Sequence, residues 1–418
     1  MTGAGRSKPG AAIALLGTAL ALVGCGADHD TVNKIHGKRL SIYVSVPLDG
    51  ASQPDGEAVL DGARVALQAT SSRIGRYHLV LKVLNDATVK RGGWDPGQTE
   101  TNARVAAADG STIGYIGDLN SGASAVSIPL LNRAGIAQIS PTSTAVGLTS
   151  DAAGSSPGEP EKYYPTGLRT FARVIPDDTV EAAVQVKLQR SLGCTKTYVV
   201  DDGEVDGLEA AISFIAAAKA SGLNVVGFQG FEPGGTNYSS FASSVSSTDP
   251  DCIFLSALTQ DSAALVTRQL AQAMPNARIF CGAGVAESTY TEPAFGGIPT
   301  ALDPRILITV AGLDPDAYPP AGRAFLIRYA SEFGPPPPYA IFGYEATSLL
   351  LDSIARATDD GRRAAVRSQV VRAVFATRNR LGALGTYSID SNGDTTLDRY
   401  GVWRVVDGQL VFWKAITG

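Results

Sequence analysis

Twice along this chain, short apolar runs trade places with stretches whose apolar residues lie three and four apart. Leu40, Ile42, Val44 and Val46 alternate as a half-buried strand does, and Val59, Ala63, Ala66 and Leu67 then recur at helical spacing. Strand-like runs at residues 79–84, 112–116 and 136–139 follow, with helical stretches near 101–108 and 123–132 between them. That is the βαβ rhythm of a parallel sheet covered by helices. A polar loop, residues 150–161, interrupts it. The rhythm then restarts with a helix opened by Asp178 and Glu181, and continues through strands at 197–201, 225–228, 252–256 and 278–281 and helices at 208–220, 238–246 and 262–271. A strand at 306–310 and helices near 323–333 and 345–357 follow, and periodicity alone assigns them to neither sheet. Turn signals at Asn392-Gly393 and Asp407-Gly408 close the chain in antiparallel strands, the second turn lying between apolar runs at 402–406 and 410–413. Two independent domains and two interlaced lobes are both compatible with this pattern.

The amino terminus has a separate logic. Arg6 and Lys8 precede an uncharged apolar run, residues 11–23, and Leu22-Val23-Gly24-Cys25 follows at once. The layout is that of a secretory signal. The run is shorter than the ~20 residues that a membrane-crossing helix needs. Small residues ahead of a cysteine resemble the lipobox of bacterial lipoproteins, which implies a lipid on Cys25, cleavage after residue 24 and a tether over residues 25–38. A lipid of two or more chains holds a soluble domain at a bilayer. The expected location is the outer face of the cell membrane.

What remains of the 418 residues is enough for two domains at ~150 residues each. With 44% hydrophobic and 18% charged residues, the chain can bury an ordinary globular core. A net charge of −5 and the lack of Lys/Arg runs beyond the signal argue against nucleic acid as a partner. Three histidines, two of them (His29, His36) in the tether, leave almost no material for a Ser-His-Asp triad or a His-rich metal site. We therefore expect no catalytic residues, no metal and no cofactor. With Cys25 set aside, Cys194, Cys252 and Cys281 form an odd set; export permits a disulfide, and three free thiols are equally compatible.

In an open α/β sheet, ligands sit outside the carboxyl ends of the strands. Two hydroxyl-rich loops occupy that position in the first half: Gly117 to Ser124, including Asn120 and Ser121, and Ser140 to Thr144, including Thr142. Backbone N–H groups at helix starts and hydroxyls suit an anion such as a carboxylate. In the second half, Asp201, Asp202, Glu204 and Asp206 crowd the loop after the first strand, where they can receive an ammonium or cap a helix. Gly282-Ala283-Gly284 is no dinucleotide fingerprint. Asp390 to Asp394 lacks the spacing of a calcium loop and reads as a hairpin turn.

The string IGDLNSGASAVSIPLLNRAGIAQISPTSTAVGL, residues 116–148, resembles the corresponding part of type I periplasmic solute-binding proteins of the leucine/isoleucine/valine-binding group. Val46-Pro47-Leu48-Asp49-Gly50, FARVIPDD at 171–178, YAIFGYEATSLL at 339–350 and the closing Asp-Gly hairpin agree in order. The resemblance runs from about Leu40 to the end. It implies an α/β fold of two Rossmann-like lobes with parallel sheets joined by three crossings, lobe I at 39–174 and 312–395 and lobe II at 175–311 and 396–418. It also implies closure on a small ligand between them. Ser121 matches the serine that binds the ligand's carboxylate, and Thr142 and Thr144 match the pair that binds carboxylate and ammonium; Asn120 stands beside them.

Departures from the pattern are informative. The acid that receives an amino-acid ammonium in this group falls at Ala283, and aromatic positions that cover the ligand fall at Asp55 and Asp206. Either Asp206, Glu204 or Asp55 takes over the ammonium, or the ligand is not a plain branched-chain amino acid. In the family's sheets the first and third strands of a lobe are neighbours, which implies a Cys194–Cys252 disulfide with Cys281 free near the cleft. The function implied is a lipid-anchored, monomeric binding protein that delivers an amino acid or related small carboxylate to an ABC permease. A receptor of the same fold that senses without transport, and a secreted enzyme, are the alternatives.

Overall fold

The structure is a computed structural model and describes residues 1–5 and 33–418. The first lobe is built on β1 (Arg39–Val46), followed by α1 (Gln53–Ala69), β2 (Tyr77–Asn85), α2 (Pro96–Ala108), β3 (Thr112–Ile116), α3 (Ser121–Arg133), β4 (Ala137–Ser140) and β5 (Phe171–Arg173). Its sheet runs β2-β1-β3-β4-β5, all parallel, with the two-residue strand Arg73–Ile74 antiparallel on the β2 edge. The alternation in β1 now has a cause. Ile42 and Val44 pack toward Val59 and Ala63 of α1, whereas Tyr43 packs toward Ala103 and Ala106 of α2. On that second face the buried Ser45 hydroxyl accepts from Asn102 Nδ2 at 3.0 Å, so the polar positions of the strand are buried but bonded.

The second lobe repeats the plan with α4 (Asp178–Ser191), β6 (Lys196–Asp201), α5 (Val205–Ser221), β7 (Asn224–Gly230), α6 (Ser239–Ser246), β8 (Cys252–Ser256), α7 (Ala263–Ala273), β9 (Arg278–Cys281) and β10 (Ile306–Val310). The chain then makes α8 (Pro320–Phe333), α9 (Ala340–Thr358) and α10 (Arg367–Phe375), and ends in β11 (Arg399–Val406) and β12 (Gln409–Thr417). The sheet order is β7-β6-β8-β9-β10-β11-β12, parallel as far as β10 and antiparallel beyond it. Asp407 and Gly408, both at positive φ (50° and 78°), form the β11–β12 turn.

The helices left unassigned by periodicity belong to the first lobe. Helix α9 lies on α1 so closely that a Cβ at Gly62 would stand 2.1 Å from the Ala340 carbonyl oxygen, and one at Gly343 would stand 2.2 Å from that of Val59. The chain therefore passes from the first sheet to the second after β5, returns after β10 and crosses again before β11. Residues of all three passages, Pro176, Ala311 and Asp398 among them, line one small void of about 50 Å³. The lobes are interlaced.

Disulfide and turn chemistry follow from this topology. Cys194 stands just before β6 and Cys252 opens the adjacent β8; the two are bonded, with a Cα separation of 5.8 Å. Cys281 is free and buried. Asp390 accepts the backbone N–H groups of Asn392, Gly393 and Asp394 at 2.8–2.9 Å, which turns the chain between bridged residues Ile389 and Thr395.

Two differences from the sequence reading stand out. The tether does not run free to Lys38: Ile35 is buried, its N–H donates to Ala365 O at 2.8 Å, and Lys34 bridges Val366. An apolar side chain in a polar stretch has found the first lobe. Helix α10 was missed although Val370, Val371, Val374 and Phe375 recur at helical spacing, because its nine residues give the period only about two turns in which to show. Cys25, the signal segment and the tether to residue 32 lie outside the described residues.

Candidate functional site

Both sheets share the strand order 2-1-3-4-5 in their parallel parts, which places a crevice beside the first strand of each lobe, at its carboxyl end. These ends face each other. Between them lies a small cavity, about 30 Å³ in volume, walled by Asp55, Asn120, Thr142 and Thr144 from the first lobe and by Asp206 and Glu287 from the second. Leu119, Leu258, Ala283, Gly284 and the Tyr339 ring complete the wall. No Lys, Arg or His lines it among the described residues.

The hydroxyl cradle is built from two loops of one lobe. Ser121, the first residue of α3, accepts the N–H groups of Thr144 and Ala145, each at 3.1 Å, which ties the loop after β4 to the helix start. Its own hydroxyl donates to Asp206 Oδ1 at 2.8 Å, and Thr144 Oγ1 donates to the same oxygen at 3.1 Å. The two groups expected to hold a ligand's carboxylate thus hold a carboxylate of the protein's own second lobe. Thr142 lines the cavity but turns its hydroxyl hydrogen to Leu119 O at 2.6 Å. Asn120 is buried at the N-cap position of α3 without capping it, and its Oδ1 has no partner.

The acids are the second theme. Asp55, in the first turn of α1, is 5% exposed and Glu287 is 7% exposed. Burial pushes the Asp55 carboxyl well above the usual carboxylate range, and the negative charge of Glu287 pushes it further. Burial raises Glu287 too, against hydrogen bonds from Ser52, Thr259 and Thr289. Asp206 is half-buried as a residue, yet loss of water around its carboxyl raises it despite the bonds from Ser121 and Thr144. Behind it, buried Asp178 has an unpartnered Oδ2, and burial pushes Glu181 up to about 8. Buried carboxyls without a cation nearby behave in this way.

Glu204 is a correction. It stands at the N-terminus of α5, outside the cavity wall, and pairs with Arg91 of the first lobe. Arg91 in turn lies over the Trp94 ring, and Trp94, Ala123 and Leu258 form an apolar contact between the lobes. A charge that can reach across the cleft mouth is satisfied there and does not enter the cavity. Glu287 and Tyr339 were the residues that sequence reasoning missed. Glu287 follows Ala283 by four positions on the same irregular loop and brings a carboxyl to the cavity wall. Tyr339, whose hydroxyl donates to Ala283 O at 3.3 Å, adds its ring to the cavity wall.

Two α/β lobes laced by three segments, with a small cavity between the facing carboxyl ends of their sheets, define a two-lobed ligand-binding protein. The chain belongs to the periplasmic binding protein family, whose sequence pattern matches residues 41–409, and its two-lobed fold is that of type I members. It is 23% identical over 377 residues to the Leu/Ile/Val-binding protein homolog 3 of Brucella melitensis, covering 89% of this chain and 93% of that one. Among solved structures, the leucine binding protein LivK of Thermotoga maritima superposes with a TM-score of 0.76 at 23% identity, covering 90% of this chain and 99% of that one. A solute binding protein of R. palustris in complex with benzoate superposes at 0.70 with 17% identity, covering 91% of this chain and 98% of that one. One fold therefore serves ligands of different chemistry.

Proposed function

We propose that this protein is an extracytoplasmic solute-binding protein, held at the membrane by a lipid on Cys25, that captures a small amine-bearing solute between its lobes and delivers it unchanged to an ABC importer. The cavity walled by acids from both lobes carries the reading: Asp55 and Glu287 face one space from opposite lobes, and a positive ligand between them favours the form that holds them there. The relatives named for leucine, isoleucine and valine binding support the transport role. Of the amino acid or small carboxylate expected from sequence, the amine is the part that these walls favour. No helix among the described residues is long and apolar enough to cross a membrane. The protein acts as a monomer.

The test is a thermal-shift screen of the mature protein against amines, amino acids and carboxylates. A ligand at 100 times its dissociation constant adds about 2.7 kcal/mol of stability. At least one amine-bearing solute raises Tm under this reading. A flat response across the whole screen refutes it.

A further inference from the structure

The bonding of Asp206 narrows the ligand, given that the cavity is a solute site. We infer that the solute is a small organic cation without a carboxylate, of the alkylammonium or guanidinium class, because Asp206 already fills the place where a ligand's carboxylate would lie.

Three observations carry this. First, the hydroxyls of Ser121 and Thr144 both donate to Asp206 Oδ1, at 2.8 and 3.1 Å. The backbone N–H groups of Thr144 and Ala145 that could serve an anion are bonded to Ser121 Oγ. The cradle's donors are spent, and a second carboxylate would meet Asp206 at close range in a buried site. Second, the remaining space is faced by the Asp55 and Glu287 carboxyls and by Asn120, whose Oδ1 is buried and has no partner among the described residues. A buried acceptor of this kind asks for a donor. Third, Leu119, Leu258 and the Tyr339 ring give the cavity apolar walls, suited to a short alkyl part or to the face of a cation. The Ser121–Asp206 and Thr144–Asp206 bonds join opposite lobes, so the protein's own carboxylate completes the closure that a zwitterionic ligand would otherwise complete.

Calorimetric titration of the mature protein tests this with three probes of one shape: leucine, 3-methylbutylammonium, which lacks the carboxylate, and 4-methylpentanoate, which lacks the amine. Methylammonium and guanidinium serve as smaller cations. At least one of the three cations is expected to bind about tenfold or more tighter than leucine, a difference of 1.4 kcal/mol, and 4-methylpentanoate not at all. Leucine or 4-methylpentanoate binding as tightly as the best cation overturns the inference while leaving solute capture intact. No binding by any of the five overturns it as well, and the wider screen above then decides whether solute capture also falls. Asp206→Ala provides an independent arm. By freeing both hydroxyls it is expected to improve leucine binding at least about tenfold. Unchanged leucine affinity in a variant whose circular dichroism is native removes Asp206 from the carboxylate place.

Discussion

Glu181 shows how far a single buried carboxyl can set the response to pH. Its carboxyl is pushed up to about 8 by burial, against a hydrogen bond from Thr309. An unfolded glutamate ionises near 4.3, so between that value and about 8 the folded protein holds a proton that the unfolded chain has released. Stability then falls as pH rises through this window. Tm is expected to be lower at pH 8 than at pH 5.5, and Glu181→Gln should flatten the slope; an unchanged slope in the variant would assign the dependence to other acids. Thr144→Ala removes one of the two donors to Asp206. It should weaken the closed form by about 1–3 kcal/mol, read as weaker ligand binding, with little change in the Tm of the unliganded protein. Both residues sit in loops or helix starts that the strand-end rule marks from sequence. The bonds that join such loops are not marked, because Ser121 and Asp206 are 85 positions apart and meet only once two lobes face each other.

At the scale of elements, what was legible was whatever repeats. Most strands of both sheets and most helices follow from periods of two and 3.6, β5 excepted, and the β11–β12 turn from Asp407-Gly408. Glu287 escaped because it lies in an irregular stretch after β9, where no period links residue to face. Helices α8 and α9 were visible as helices, but periodicity did not give their lobe, which the family resemblance alone implied, since lobe membership is decided by packing. The α1–α9 contact shows which packing: Gly62 and Gly343 let two backbones approach where any side chain would collide. Gly62→Ala should cost about 1–3 kcal/mol by denaturant unfolding, against the usual small gain of alanine over glycine inside a helix. The Cys194–Cys252 bond, across a separation of 58 residues, should stabilise by about 4 kcal/mol, measured as the loss in a Cys194→Ser, Cys252→Ser double variant. An effect near zero would mean that the β6–β8 neighbourhood is held by its ladder alone.

For the molecule as a whole, the relation of the lobes is the variable that matters. Arg91 and Glu204 pair between lobes at partly exposed positions, with side chains 33% and 17% accessible. Pairs of this kind are worth about 0.2–1 kcal/mol, so Arg91→Ala should shift the open–closed balance by no more than a factor of about 5. Small-angle scattering would show it as a larger radius of gyration, abolished by saturating ligand. The docking of Ile35 against Ala365 has a different consequence. Everything beyond Asn33 is secured to the first lobe, so a lipid on Cys25 would leave only eight residue steps of slack, at most ~29 Å when fully stretched. On so short a leash the first lobe would keep station at the bilayer and leave the swinging to the second. A transporter beneath it would meet the same jaw at every visit and would sense loading by where the other jaw has come to rest.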